Sequence, residues 1–210
     1  QEMGERVTFE GVWGETAVIA PTPDTRVKDA FMRYLADVRV APLRPYTLYN
    51  SWYDLRSADY PGVEPQHVMN EHNVQRIVKT LRENMIEKHG IKLDAFVLDD
   101  GWDVYRSDWV LRPLQFPRGL KPIADELAKT QTRLGMWFGP TGGYSFRKER
   151  LAWMRDHDYE TLGDQLWVGG PKYSALLRKR TTDMAKDGVA YFKWDGLQFT
   201  GSGPALGTPP

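Results

Sequence analysis

Lys193 and Asp195 stand two residues apart at the end of the apolar run "VAYFKWDG". Successive side chains of a strand alternate faces, so these two share a face while Phe192 and Trp194 take the other. An ammonium beside a carboxylate favours the ionised acid, which is the form that a carboxylate nucleophile needs. Taken alone, such a K-x-D is more often a solvated ion pair at a strand end. A second acidic pair, Asp99-Asp100, closes another apolar run, "FVLDDGW". Ionised carboxylates are strong acceptors, and two in succession suit hydrogen bonds to neighbouring hydroxyls. The other use of such a pair is to cap a helix after a strand. Asn50, Trp52, Trp102 and Trp137 fall at the ends of similar runs. Tryptophan faces pack on the apolar C–H faces of sugar rings, and equally they fill cores. Asn50 is either a ligand or a cap.

Four strand–helix alternations position these side chains. "YTLYNSW" reads as a strand over 46–52, "LDAFVLDD" as one over 93–99, "RLGMWFGP" as a third and "VAYFKWD" as a fourth. The intervening sequence predicts helices over about 68–88, 121–131, 146–156 and 173–187, with "QLWVGGPKY" as loop. Largely apolar strands alternating with helices argue for an α/β fold with a parallel sheet buried on both faces. In such folds ligands sit at the carboxyl ends of the strands, where all the polar residues above are found. No glycine-rich phosphate loop follows the first strand, which favours the (β/α)8 TIM-barrel type over a nucleotide fold. The sequence holds about the first four βα units of such a barrel. Before them, residues 6–20 alternate loosely, like one or two strands of an all-β unit, and a helix follows from about Asp24 with Met32, Leu35 and Val38 at helical spacing. The expected division is therefore 1–44, the end of a β-sandwich with a connecting helix, and 45–210, the barrel part.

Composition narrows the function classes. The 210 residues carry 28 basic and 28 acidic side chains, so net charge gives no support to a nucleic-acid partner. No run approaches the roughly 18 to 20 apolar residues of a membrane span. With no cysteine, disulfides and thiolate metal sites are excluded, and the compartment stays open. His67 and His72, five residues apart near a helix start, do not share a face and read as structural, so no metal is expected. No cofactor signature is present. Twelve per cent of the residues are aromatic, eight of them tryptophan, which suits a sugar site.

"LYNSWYD", "FVLDDGW", "SDWVLRPLQFPRGLKPIADEL", "LGMWFGP" and "YFKWDG" together resemble the catalytic barrel of glycoside hydrolase family 36, the α-galactosidase-like enzymes, with family 27 as a relative. The resemblance covers about residues 45–197. It implies a retaining exo-glycosidase acting on terminal α-galactosides. Asp195 would be its nucleophile. Lys193, Asp99 and Asp100 would bind ring hydroxyls, Trp52 and Trp137 would line the pocket, and Trp109 would lie near the rim or a neighbouring subunit. The family often has Glu-Pro-Glu after the third strand and Asn after "KWD-x". Here Gly139-Pro140-Thr141 and Gly196-Leu197 stand in those places. The family's acid/base aspartate follows the sixth barrel strand, and no motif of this sequence corresponds to it. The sequence therefore reads as a fragment, completed by the rest of a parent chain or by homo-oligomerisation. A raffinose-synthase-type transglycosylase and a non-catalytic carbohydrate-binding module are the alternatives.

Overall fold

The computed structural model describes residues 18–40, 42, 44–55 and 68–197. The chain divides at Pro45/Tyr46 into two compact units. In the first, a 3-10 turn, Asp24–Arg26, leads into helix α1, Val27–Val38. The strands expected over 6–20 fall on 6–17, outside the described residues, while 18–20 belong to no regular element.

The second unit is built on a four-stranded parallel sheet of order β1-β2-β3-β6: β1 is Leu48–Asn50, β2 Ala95–Leu98, β3 Arg133–Phe138 and β6 Val189–Trp194. Consecutive parallel strands with helical crossovers are the arrangement of a (β/α)8 barrel. Helix α2 spans Glu71–Leu81 and continues in π-helical geometry over Arg82–Glu87. Asn70 caps its start, accepting the Asn73 N–H at 2.9 Å. Helix α3, Lys121–Ala128, follows β2. Two helices follow β3: α4, Arg147–Asp156, and α5, Pro171–Lys186, whose proline sits in the first turn where its missing N–H is harmless. Between them lies a small antiparallel hairpin, β4 Thr161–Leu162 and β5 Gln165–Leu166, turning on Gly163 with φ 59°; only β5 falls in the stretch read as loop. Two-residue strands are too short to show a period, which is why the pattern hid them.

The helix-facing side of the sheet is contributed by Phe96, Leu98, Leu134, Met136, Phe138 and Val189, in one cluster with Val74, Ile123, Leu151 and Leu176 of the helices. The opposite face carries Val97, Gly135 and Tyr191. A Cβ on Gly135 would come within 2.9 Å of Val97 Cγ2 and 3.1 Å of the Tyr191 ring, so glycine lets side chains of β2 and β6 close over β3.

One charged pair lies inside this core. Arg150, on the α4 face shared with Leu151 and Met154, is fully buried, as is Asp103. Arg150 Nη1 approaches Asp103 Oδ2 to 2.7 Å, in ion-pair contact without hydrogen-bond alignment. The guanidinium lies 3.8 Å from the Trp109 ring centroid. Trp109 donates to the Tyr173 hydroxyl at 3.1 Å, and Tyr173 donates to the Pro140 carbonyl at 2.6 Å. The loops after β2 and β3 are thereby tied to α4 and α5. Removing one member strands the other charge in the core. Asp103→Asn or Arg150→Met alone should cost about 3–5 kcal/mol of stability, and the double variant distinctly less than their sum. Additive losses in urea unfolding would show that the two charges are solvated separately.

Candidate active site

The sheet register brings three side chains level at the carboxyl edge. Leu98 pairs with Met136 and Trp137 pairs with Lys193, so Asp99, Trp137 and Lys193 stand side by side across three strands. Asp195 follows, its N–H bonded to the Phe138 carbonyl at 2.9 Å. Lys193 Nζ lies 2.8 Å from Asp99 Oδ2 and 3.9 Å from Asp195 Oδ2. The ammonium thus sits between two carboxylates, and its closer partner is Asp99, not the neighbour two residues along. Side chains of Lys193 and Asp195 keep 35% and 34% of their surface accessible, against 2% for Asp99. A substrate can therefore reach the first two.

Asn50 Oδ1 accepts the Trp52 N–H at 2.8 Å, closing the turn after β1, and its Nδ2 donates to Asp99 Oδ2 at 2.7 Å. Asp99 Oδ1 accepts the Asp100 N–H at 2.9 Å. Trp52 is half-buried beside them.

Several expected roles change with burial. Trp137 and Trp102 are fully buried, so neither offers a ring face to a sugar in this structure. Trp137 instead donates its indole N–H to Asp195 Oδ2 at 3.1 Å, and Trp102 donates to the Trp137 carbonyl at 2.8 Å. Trp109, expected at a rim, is fully buried against Arg150. Asp99 and Asp100 do not form one bidentate pair. Asp99 turns to Asn50 and Lys193, whereas Asp100 faces Ser145, Asp103 and Arg150. Asp100 Oδ2 is buried without a protein partner.

Burial pushes the Asp100 carboxyl up to about 6, opposed by the Ser145 hydroxyl and the Arg150 charge and reinforced by Asp103. Tyr144 also titrates above the ordinary tyrosine range, through burial and the negative charge of Asp195, to whose Oδ1 its hydroxyl donates at 3.3 Å. Sequence reasoning passed over Tyr144, Ser145 and Arg150. The signal for the first two was the pair Gly142-Gly143, both at positive φ, in the loop after β3. A cavity of about 300 Å³ opens beside Asp195, lined by Thr141, Tyr144, Arg147, Asp164 and Gln165 among others. A larger, more open hollow at the start of α2, by His72 and Arg118, shares no lining residue with it. His72 is exposed and His67 lies outside the described residues, among which no cluster of three metal-ligating side chains occurs.

The raised Asp100 value has a consequence for stability. The native state holds this proton more tightly than the unfolded chain, so the group favours folding below about pH 4 and opposes it as pH rises through about 6. Asp100→Asn removes that dependence. The stability of the wild type relative to Asp100→Asn should fall by on the order of 2–3 kcal/mol between pH 4 and pH 7. A constant difference in chemical denaturation across that range would place Asp100 in water.

Known proteins resemble this chain in sequence and in fold. No protein-family model matches the sequence. α-Galactosidase 2 of Pediococcus pentosaceus is 36% identical over 66 residues, 28% of this chain and 9% of the relative. The probable α-galactosidase C of Aspergillus oryzae is 31% identical over 110 residues, 44% of this chain and 12% of the relative. Among solved structures, an α-galactosidase from Thermus thermophilus matches with TM-score 0.54 and 19% identity, covering 80% of this chain and 34% of that one. The family 36 α-galactosidase AgaB from Geobacillus stearothermophilus matches with TM-score 0.53 and 20% identity, over 84% of this chain and 25% of that one. The matched part is thus a minor share of each relative's length. In sequence this chain is similar to α-galactosidases over part of its length, and in fold to α-galactosidases of glycoside hydrolase family 36.

Proposed function

We propose that this chain carries the nucleophile side of a retaining exo-acting α-galactosidase site. The observation that supports it is the placement of Lys193 between the carboxylates of Asp99 and Asp195 at the carboxyl edge of a parallel sheet. The Thermus thermophilus relative was captured with p-nitrophenyl α-D-galactopyranoside, and the Geobacillus stearothermophilus enzyme AgaA with raffinose in one variant and stachyose in another. A terminal α-galactoside is accordingly the substrate class.

In this reading Asp195 attacks the anomeric carbon as the glycosidic C–O bond breaks, giving a galactosyl ester that water then hydrolyses. Lys193 lies beside the attacking carboxylate and offers its remaining donors to ring hydroxyls, while Asp99 accepts from Lys193 and Asn50 braces Asp99. Asp100, with its Oδ2 buried, is not reached by a ring hydroxyl in this arrangement, and half-buried Trp52 flanks the ring. A carboxylic acid about 5–5.5 Å from the nucleophile must protonate the leaving oxygen. No family motif in this sequence supplies it. Among the described residues β1 and β6 each pair with one strand only. Further strands, from a longer chain or a second copy, would complete both the sheet and the acid.

Without a positioned acid, worth about 10²- to 10⁴-fold, residues 1–210 alone should not turn over natural galactosides detectably. An aryl α-galactoside with an acidic phenol leaves unaided and should react slowly. Asp195→Asn should reduce that release by at least about 10³-fold or to background. Phenol release unchanged in Asp195→Asn would remove this residue from the chemistry. Fast hydrolysis of a natural galactoside would place the acid within this sequence.

A further inference from the structure

The loop between β3 and α4 is more tightly held than a surface connection requires. The N–H groups of Gly142 and Gly143 both donate to the Gly139 carbonyl at 2.8 Å. A Cβ on Gly139 would fall 2.5 Å from the Gly143 Cα, so the loop closes on itself only with glycine there. Arg147 donates to the Gly143 carbonyl at 3.0 Å and to the Asp164 carbonyl at 3.0 and 3.2 Å. Thr141 donates to the Gly196 carbonyl at 2.8 Å, and the Thr141 carbonyl accepts the Leu166 N–H at 3.0 Å. Phe146 sits at φ 52°, a region that costs a non-glycine residue, with its ring stacked on Tyr105 at 4.5 Å. Between these anchors stands Tyr144, 60% exposed.

We propose that Tyr144 is a positioning residue for Asp195: its hydroxyl holds Oδ1 while the Trp137 indole holds Oδ2, fixing the plane of the carboxylate. The distances are 3.3 Å and 3.1 Å. Two donors on opposite oxygens restrain rotation about the last side-chain bond, which a single donor would leave free. The two differ in kind. Trp137 is locked in the core, while Tyr144 stands at the mouth of the cavity beside Asp195. Tyr144 also bears on Oδ1, the oxygen turned away from Lys193, whose nearest approach is to Oδ2. The charged groups around the phenol are Asp195, Lys193 and Arg147, with Asp164 lining the same cavity. Burial and, after it, the Asp195 carboxylate raise the Tyr144 titration above the ordinary range, while Lys193 and Arg147 oppose them.

This role in the reaction rests on the galactoside reading of Asp195, but the contact itself can be tested without it. In a tyrosinate absorbance titration of the 210-residue chain, the curve lost in Tyr144→Phe belongs to Tyr144. In Asp195→Asn that curve should move down toward the ordinary tyrosine range, because the nearby negative charge is gone. No movement would overturn the proposal. The second measurement is the pH profile of phenol release from 2,4-dinitrophenyl α-galactoside. Tyr144→Phe keeps the ring and should lower release about 3- to 10-fold, the worth of one hydrogen bond. It should also move the acid limb of the profile upward, which a merely structural change would not do. Release that is lost in Asp195→Asn but unchanged in rate and profile in Tyr144→Phe would sink this proposal alone. Release equal to background in the wild type, or equal in wild type and Asp195→Asn, would sink the galactoside reading and leave the titration to decide the contact.

Discussion

The contact between Lys193 and Asp99 joins two strands that are not neighbours. β2 and β6 are separated by β3, so their backbones stand roughly 9–10 Å apart at two strand spacings. A four-carbon lysine stem can cross that gap if nothing bulky rises between. Gly135 clears the level below, where Val97 and Tyr191 close over the strand. At the level of the pair itself, the indole of Trp137 is drawn into the core and points its N–H at Asp195. Nearly every polar group at the edge refers to this crossing. Asn50 braces Asp99, the Asp100 N–H takes its other oxygen, and Lys193 leans toward Asp195.

Asp99 and Asp100 are adjacent and equally buried, yet physically unlike. Asp99 has an ammonium, an amide and a backbone N–H around its carboxylate, so burial leaves it well compensated. Asp100 has Ser145 on one side, like charge from Asp103 on another, and a bare oxygen. One acid is thus committed to architecture and the other is held at the edge of ionisation. Such divergence between neighbouring carboxylates is frequent where a protein prepares acids for separate tasks.

Much of the barrel unit was legible beforehand, because its signals are local. Apolar runs gave all four main strands, and periodicity with prolines and glycines gave the helices to within a few residues. The shared face of Lys193 and Asp195 followed from strand alternation. What escaped depends on contacts distant in sequence. That Lys193 prefers Asp99, 94 residues away, is a matter of sheet order. That Trp102, Trp109 and Trp137 are core rather than platform depends on how the loops after β2 and β3 fold over one another. Arg150 had a readable signal: it shares a helix face with Leu151 and Met154, and a cation in an apolar stripe asks for a buried partner. Tyr144 had only its glycines to mark it.

The central claim is that Asp195 is the nucleophile toward an α-galactoside, and covalent capture tests it most directly. An activated 2-deoxy-2-fluoro-α-galactoside carries its own good leaving group, so it needs no protonation to form the ester, and the fluorine slows its hydrolysis. After incubation, the intact mass of the chain should rise by one fluorogalactosyl group. Peptide mapping should place that group on Asp195, with Asp99, Asp100 and Asp164 unmodified. A label on any other carboxylate, or an equal label on the Asp195→Asn variant, would contradict the account.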